Sequence, residues 1–256
     1  MAFTPQYGGY SPASAATSAA VVDAGLRAYM LRVYNWMASG LVLTGVVAYA
    51  IANTGLIELF YHTVRTPHGI AHQATPLALI AMFAPLAFVL VLSLGVNRLS
   101  TFAVQALFWA FCVAMGASLT NIFLIYMSDS IVRVFFITAA TFAGMSIWGY
   151  TTKSDLSRMG SFLMMGLFGI IIAGLVNMFL QSSALQFVMS IVGVVVFTGL
   201  TAYDTQRIKA DYMQYAYAMG TDEAGKRSVF DALSLYLNFI NLFMLLLQLV
   251  GNRNND

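Results

Sequence analysis

Seven apolar stretches, each about as long as a bilayer is thick, constrain this chain more than any other feature. A helix needs about 20 apolar residues to cross the hydrocarbon core. The chain is 60% hydrophobic and only 9% charged, whereas an ordinary soluble domain is about 25% charged. The sequence therefore predicts an all-α membrane protein with seven transmembrane helices, at roughly 33–54, 76–96, 102–127, 131–150, 160–180, 185–205 and 230–250.

The segments outside these spans are short. Residues 1–26 are predicted to be a flexible N-terminal tail, because the first twenty residues are rich in Ala, Ser, Gly, Pro and Tyr. The same residues have neither a basic nor an apolar region of the kind that marks a cleavable signal peptide. The membrane domain is expected over 27–251, followed by a short tail at 252–256.

Lysine and arginine residues predict the orientation of the chain, since they concentrate on the cytoplasmic side of membrane proteins. Nine of them lie on the side of the N-terminus and three on the opposite side. The N-terminus is therefore expected in the cytoplasm and the C-terminus outside. The net charge is only +2 and the chain has no basic patch, which argues against nucleic acid as a partner.

The seventh span carries polar residues at steps of three, four, three and seven, which places them on one helical face. Lipid would penalise such a stripe, so the stripe must face protein or a water-filled cavity. We therefore expect the seventh span inside the bundle, with the other helices around it. The residues of the stripe are Asp231, Ser234, Asn238, Asn241 and Gln248.

The sixth span has a matching polar face that includes Thr201 and ends at Asp204. If the two faces meet, Asp204, Asp231 and Asn238 converge near the cytoplasmic mouth of the bundle. Burial disfavours the charged form of a carboxylate, whereas Arg207, three residues along the helix, favours it. The sequence leaves two interpretations of Asp204 open: a functional acid within the membrane, or an interfacial acid beside a basic loop.

Three segments resemble the Bax inhibitor-1 family, whose bacterial members are seven-helix proteins of the inner membrane. They read LRVYNWMASGLVLTGVVAY (31–49), TGLTAYDTQRI (198–208) and DALSLYLNFINLF (231–243). The resemblance extends from about residue 27 to 251. It implies a fold in which six helices surround a central seventh, which agrees with the position inferred from the polar stripe.

The resemblance also implies a calcium-permeable leak that responds to pH. In that scheme two aspartates, on the sixth and seventh spans, share a proton near the cytoplasmic side, and an arginine acts as a latch. Asp204 matches the first aspartate, but Asn238 occupies the place of the second, so this chain should attract a divalent cation less strongly. The candidate latches are Arg98 and Arg207.

Asp231 and Asn241 complete the ion pathway predicted from these observations. Calcium prefers oxygen ligands, so a calcium ion is expected to pass near Asp204. The ion would be cargo, and no cofactor is expected. The lipid bilayer is the surrounding medium.

The resemblance supports a second function class as well. One bacterial branch of the family modulates the membrane protease that degrades membrane proteins. A regulatory protein that binds a membrane protease, or another membrane partner, is therefore the alternative to the ion leak. A flexible N-terminal tail would suit that role.

Catalysis is not expected. A serine protease that works within the membrane needs Ser and His in its spans, and Ser118 is available, but all three histidines fall in one loop. His68 and His72 have a spacing that could hold zinc on a helix, but Pro67 and Gly69 argue against a helix there. With His62, these residues are expected to be solvated.

Overall fold

A computed structural model describes residues 12–66, 69–95, 98–215 and 220–254 of the chain. It confirms the all-α membrane fold, because seven helices within these residues are long and apolar enough to cross a membrane. The helices are α1 (Pro12–Ala52), α2 (Ile57–Phe60), α3 (Pro76–Gly95), α4 (Thr101–Ser118), α5 (Ile122–Ile125), α6 (Ser128–Thr151), α7 (Ser157–Leu180), α8 (Ser183–Tyr215) and α9 (Thr221–Val250). The short helices α2 and α5 are not spans by themselves; α5 follows α4 after one 3-10 turn.

Helices α1, α8 and α9 begin or end well outside the apolar stretches that predict them. The first begins at Pro12, so the tail predicted over 1–26 is helical from that residue, while residues 1–11 lie outside the described part of the chain. Asp204 does not end its helix, since α8 continues to Tyr215. Hydropathy predicts only the part of a helix that lies in the hydrocarbon core of the membrane. The residues that follow Asp204, such as Gln206 and Arg207, are good helix formers in water, so the helix continues beyond the core.

The loop between the first two spans forms a β-hairpin of β1 (Tyr61–Thr66) and β2 (Gly69–Ala74). His62 lies in β1, opposite Gln73, and His72 lies in β2. The helical spacing that zinc would require is therefore absent from this segment. His68 lies outside the described residues.

The last helix is the most buried of the seven spanning helices among the described residues. It contacts α1, α4, α6 and α8, whereas α3 packs mainly on α4 and α7 mainly on α8. The main buried core lies between α9 and these neighbours and centres on Tyr236, whose ring meets Phe108 and Phe111 edge-on. A complete ring of six helices around α9 stays a prediction, since the structure places four helices in extensive contact with it.

The C-terminal residues are tied to the turn between α5 and α6. The N–H of Met127 donates to the Asn252 carbonyl at 3.0 Å, and the N–H of Asn254 donates to the Ile125 carbonyl at 2.9 Å. Arg253 pairs with Tyr126 as an isolated bridge. Within the tail predicted over 252–256, residues 252–254 are thus hydrogen-bonded to this turn, and they fix this end of α9 to it.

Candidate functional site

The predicted meeting of the sixth and seventh spans occurs at Asp204 and Asn238. The Asn238 amide donates to Asp204 Oδ2 at 2.7 Å. The guanidinium of Arg207 contacts the other oxygen, Oδ1, at 3.1 Å. Asp204 is 7% exposed and Asn238 is 6% exposed. Both carboxylate oxygens therefore have a partner, one an amide from the facing helix and the other a cation from the same helix.

The two candidate latches, Arg207 and Arg98, have different surroundings in the structure. Arg207 forms the ion pair with Asp204, and its side chain stays 39% exposed. Arg98 lies exposed in the turn before α4 and takes part in no ion pair among the described residues. The fourth pathway residue, Asn241, is half-buried on α9. Arg207 can therefore act directly on Asp204 without a large movement of the helices.

Asp231 is held by a different partner from a different helix. The Tyr29 hydroxyl of α1 donates to Asp231 Oδ2 at 2.6 Å, and the pair is buried. The Tyr29 ring packs on Tyr212 of α8, with 4.9 Å between ring centroids. Asp231 therefore connects α9 to α1 rather than joining the contacts around Asp204, and the predicted convergence of three residues is reduced to one contacting pair, Asp204 and Asn238.

Tyr29→Phe is expected to lower the thermal stability of the protein. It leaves a buried carboxylate without its donor, which costs about 1–3 kcal/mol for a group of this kind. The measurement is a thermal melt of the purified protein in detergent. The matched control is Tyr34→Phe, since the Tyr34 hydroxyl makes only a long contact, 3.5 Å, with Thr205. Equal melting temperatures for the two variants would contradict the importance of the Asp231 contact.

A polar cavity of about 1000 Å³ opens beside these residues. It lies among α8, α9 and the start of α4, and both Arg207 and Asp231 reach its wall. An ion pair between Arg227 and Asp211, at 2.7 Å, crosses from α9 to α8 in this region. Its charged lining residues are Arg207, Asp211, Asp222, Glu223, Lys226, Arg227 and Asp231. Water in this cavity would reach the Arg207 side of the Asp204 ion pair.

Polar contacts fix α8 to the loop between α6 and α7. Gln206 accepts a hydrogen bond from the N–H of Leu156 and donates one to the Ser154 carbonyl, both at 2.8 Å. Lys209 donates to the Tyr150 carbonyl at the end of α6, also at 2.8 Å, where a cation suits the negative end of the helix dipole. These bonds lie two and five residues from Asp204, so they hold its helix in place.

The loop itself is ordered by Asp155, which lies just before α7. Its carboxylate accepts the N–H of Ser157 at 2.9 Å. The Ser157 hydroxyl and backbone N–H hold the pKa of Asp155 below its usual range. The negative charge of Asp155 therefore suits the N-terminal end of α7.

Comparison with known proteins decides the family. The model of a family described as "Inhibitor of apoptosis-promoting Bax1" matches residues 26–255. The chain belongs to the Bax inhibitor-1 family. It is 42% identical to the inner membrane protein YbhL of Escherichia coli K12 over 230 residues, which cover 90% of this chain and 94% of YbhL. It is 47% identical to the protein RP147 of Rickettsia prowazekii over 234 residues, 91% of this chain and 93% of RP147.

Family membership and the seven apolar helices establish a multi-pass membrane protein, and the likeness to YbhL supports the inner membrane as its location. The described geometry adds one feature of the site in this chain. The position at which the resemblance implies a second aspartate holds Asn238, and this amide donates to Asp204. The site therefore has one acid and one amide in direct contact.

Sequence reasoning missed two hydroxyl partners within the bundle. Tyr29 precedes the first predicted span, so no signal in the hydropathy pattern singles it out. Tyr236 lies between the polar positions of α9, and its hydroxyl is 2.6 Å from Thr44 Oγ1, which in turn donates to the Cys112 carbonyl at 3.0 Å. An aromatic hydroxyl within an apolar run is a weak signal for such a contact, because tyrosines also occur simply as packing residues.

Proposed function

We propose that this protein is a pH-responsive leak for calcium or a similar cation in the inner membrane, with Asp204 as the acid that controls it. The observation that carries the proposal is the buried contact of Asp204 with Asn238 and Arg207 beside a polar cavity. Intramembrane acids are rare and usually functional. By the Lys and Arg counts, the cavity opens to the cytoplasm and the N-terminus lies on that side.

The position of the Arg207 guanidinium supports its role as a latch, because its positive charge compensates the negative charge of Asp204. While it contacts Asp204, the negative charge that would attract a cation is neutralised, and the guanidinium itself repels a cation in the cavity. Arg207 is partly exposed to the cavity, so it has room to turn away from Asp204. The Asp204 carboxylate would then be free to offer oxygen ligands, which calcium prefers.

With Asn238 in place of a second carboxylate, the site should bind a cation less strongly. Its amide now donates through nitrogen to Asp204. Turning the amide would present its oxygen to a cation, but an amide oxygen carries no full charge. The proposed leak therefore depends on one acid. Protonation of Asp204 would weaken its ion pair with Arg207 and would also remove the carboxylate charge that attracts the cation.

Asp204→Asn is expected to abolish the pH dependence of cation flux, because it removes the only acid in this contact. The measurement is calcium uptake by proteoliposomes of the purified protein between about pH 6 and 8, where a buried carboxylate can titrate. The matched control is Asp129→Asn, an exposed acid in the first turn of α6, outside the proposed site. An unchanged curve of flux against pH in Asp204→Asn would refute the role of Asp204.

The same measurement separates the leak from the regulatory alternative. If the wild-type protein passes no cation at any pH, the leak proposal fails, and binding of a membrane protease or another membrane partner becomes the better explanation. Deleting residues 1–20 then tests that alternative. If the deletion removes the cellular phenotype of the protein while Asp204→Asn does not, the N-terminal segment and not Asp204 carries the function. Neither function requires a cofactor or a catalytic residue of this chain.

A further inference from the structure

A second cavity lies within the membrane-spanning part of the bundle and differs in character from the charged one. It is a groove of about 320 Å³ between α1, the end of α4 with α5, α6 and α9. For comparison, an engineered apolar cavity of about 150 Å³ is large enough to bind benzene. The lining of the groove is apolar apart from Thr44, and includes Gly45, Val132, Phe136, Phe239, Ile240 and Phe243.

The groove runs from the bilayer-facing surface to the interior. On its α6 side, Val132 is 56% exposed and Phe136 is 65% exposed. On its α9 side, Ile240 is 8% exposed and Phe243 is 7% exposed. All of these residues belong to helices that span the membrane. The medium at the opening is therefore lipid hydrocarbon rather than water, and an empty apolar groove would lose dispersion contacts along its walls.

Gly45 leaves part of this space open. A Cβ at Gly45 would have no atom within 4 Å, so no close helix contact requires a glycine at this position. Gly116, on the facing helix, is different, because its Cβ would lie 2.7 Å from the Thr44 carbonyl oxygen. A glycine inside a helix costs up to about 1 kcal/mol relative to alanine. The chain thus has a residue that destabilises the helix at a position where the lack of a side chain widens the groove.

A charged side chain lies beside the opening. Arg133 is exposed on α6 next to Val132 and one turn from Phe136. It follows the start of α6 at Ser128 by only five residues, which places it about 8 Å along the helix and near the end of the bundle. Arginine binds phosphate through two parallel hydrogen bonds, and a long arginine side chain can reach the membrane surface.

We propose that this groove is a phospholipid site: one acyl chain enters between Val132 and Phe136, and the lipid phosphate lies against Arg133. The chain packs on Phe239, Ile240 and Phe243 of α9 and fills the space beside Gly45. Phe239 follows Asn238 in the sequence, so a bound chain supports α9 at the level of the Asp204 contact. This site is independent of the proposed cation leak and stands or falls separately.

The test uses the full chain reconstituted in bilayers that contain phosphatidylglycerol with a photoreactive diazirine in one acyl chain. After illumination, peptide mapping locates the lipid adducts. Adducts on Ile240 or Phe243 are expected in the wild-type protein, because only a chain inside the groove reaches these buried side chains. Lipid-facing residues of α7 such as Phe168, which is exposed, are the reference for ordinary bilayer contact.

Gly45→Leu is expected to remove the adducts on Ile240 and Phe243, since its side chain occupies the groove. The matched control is Gly169→Leu on α7, because a Cβ at Gly169 also has no atom within 4 Å but lines neither described cavity. Both variants replace a helical glycine, which raises stability by itself. Gly45→Leu should raise the melting temperature in lipid-free detergent by more than Gly169→Leu does, because only its side chain replaces the missing acyl chain.

Arg133→Gln tests the phosphate contact without altering the groove. A several-fold loss of groove adducts, with α7 labelling unchanged, is the expected result. Labelling of α7 without any adduct on Ile240 or Phe243 in the wild type would overturn the proposal. So would groove adducts that persist in Gly45→Leu, or cross-linked pairs of chains joined at the groove, which would identify a second copy as its occupant.

Discussion

Gly149→Leu is expected to abolish most of the correctly folded protein. Gly149 is buried on α6, where the helix crosses α8 so closely that a Cβ would overlap the Ala202 carbonyl oxygen and lie 2.9 Å from the Ala202 Cα. These are backbone atoms, so no side-chain rotation can relieve the overlap. Overpacking typically costs about 1–3 kcal/mol even where side chains can adjust, and the two helices must separate here.

Gly149→Leu should also disturb the candidate site, because Ala202 precedes Asp204 by two residues. A shift of α8 away from α6 would move Asp204 relative to Asn238 and lengthen their 2.7 Å hydrogen bond. The measurement is the fraction of monodisperse protein in size-exclusion chromatography, followed by a thermal melt of what remains. Gly149→Ala, which adds only the Cβ, is expected to give an intermediate loss.

Gly144→Leu is the matched control for this prediction. It lies on the same helix and is exposed, and a Cβ there has no atom within 4 Å. Its monodisperse fraction should match that of the wild type. Similar losses in Gly144→Leu and Gly149→Leu would mean that any leucine in α6 is poorly tolerated and that the close crossing with α8 is not the cause.

The spans and the Asp204–Asn238 contact are predictable from sequence because both follow from local properties. Hydropathy over about twenty residues identifies a span. Helical spacing then places the polar residues of α8 and α9 on single faces, and two such faces within lipid are driven to meet each other. Arg207 is likewise within reach by its spacing of three residues along the helix.

The contacts that sequence reasoning did not find depend on distant parts of the chain. Tyr29 and Asp231 are 202 residues apart, and only the packing of α1 against α9 brings them together. The helical ends at Pro12 and Tyr215 lie outside the apolar stretches, where polar sequence fits a helix in water as well as a loop. Arg98 is a candidate latch because it follows the second span on the expected cytoplasmic side, and that position does not determine the direction of its side chain.

Asn238→Asp is expected to make the stability of the protein fall steeply as the pH rises. The substitution places a second carboxylate at hydrogen-bonding distance from Asp204, where an amide now donates at 2.7 Å. Arg207 is the one cation that contacts Asp204 in the described structure, so it compensates only one of the two charges. Two carboxylates in contact cannot both ionise easily, and the folded variant therefore retains one proton between them.

The sign of the pH dependence follows from proton binding. In the unfolded chain the two acids are far apart and ionise near their ordinary values, about 3.9 for Asp. Above that pH the folded variant binds one proton more than the unfolded chain, so its stability decreases as the pH rises, by at most about 1.4 kcal/mol per pH unit. The measurement is the melting temperature in detergent at a series of pH values above about 4, for the variant and for the wild-type protein.

The exchange variant Asp204→Asn/Asn238→Asp isolates the cause. It keeps one acid and one amide in contact, so the shared proton disappears and the steep pH dependence should disappear with it. It also moves the acid from α8 to α9, away from the position that Arg207 contacts three residues along its own helix. Equal pH slopes for Asn238→Asp and the exchange variant would show that an acid at position 238 acts by its own burial and not through Asp204. A slope confined to Asn238→Asp would establish that the two positions titrate as a unit, and that the wild-type amide removes this coupling.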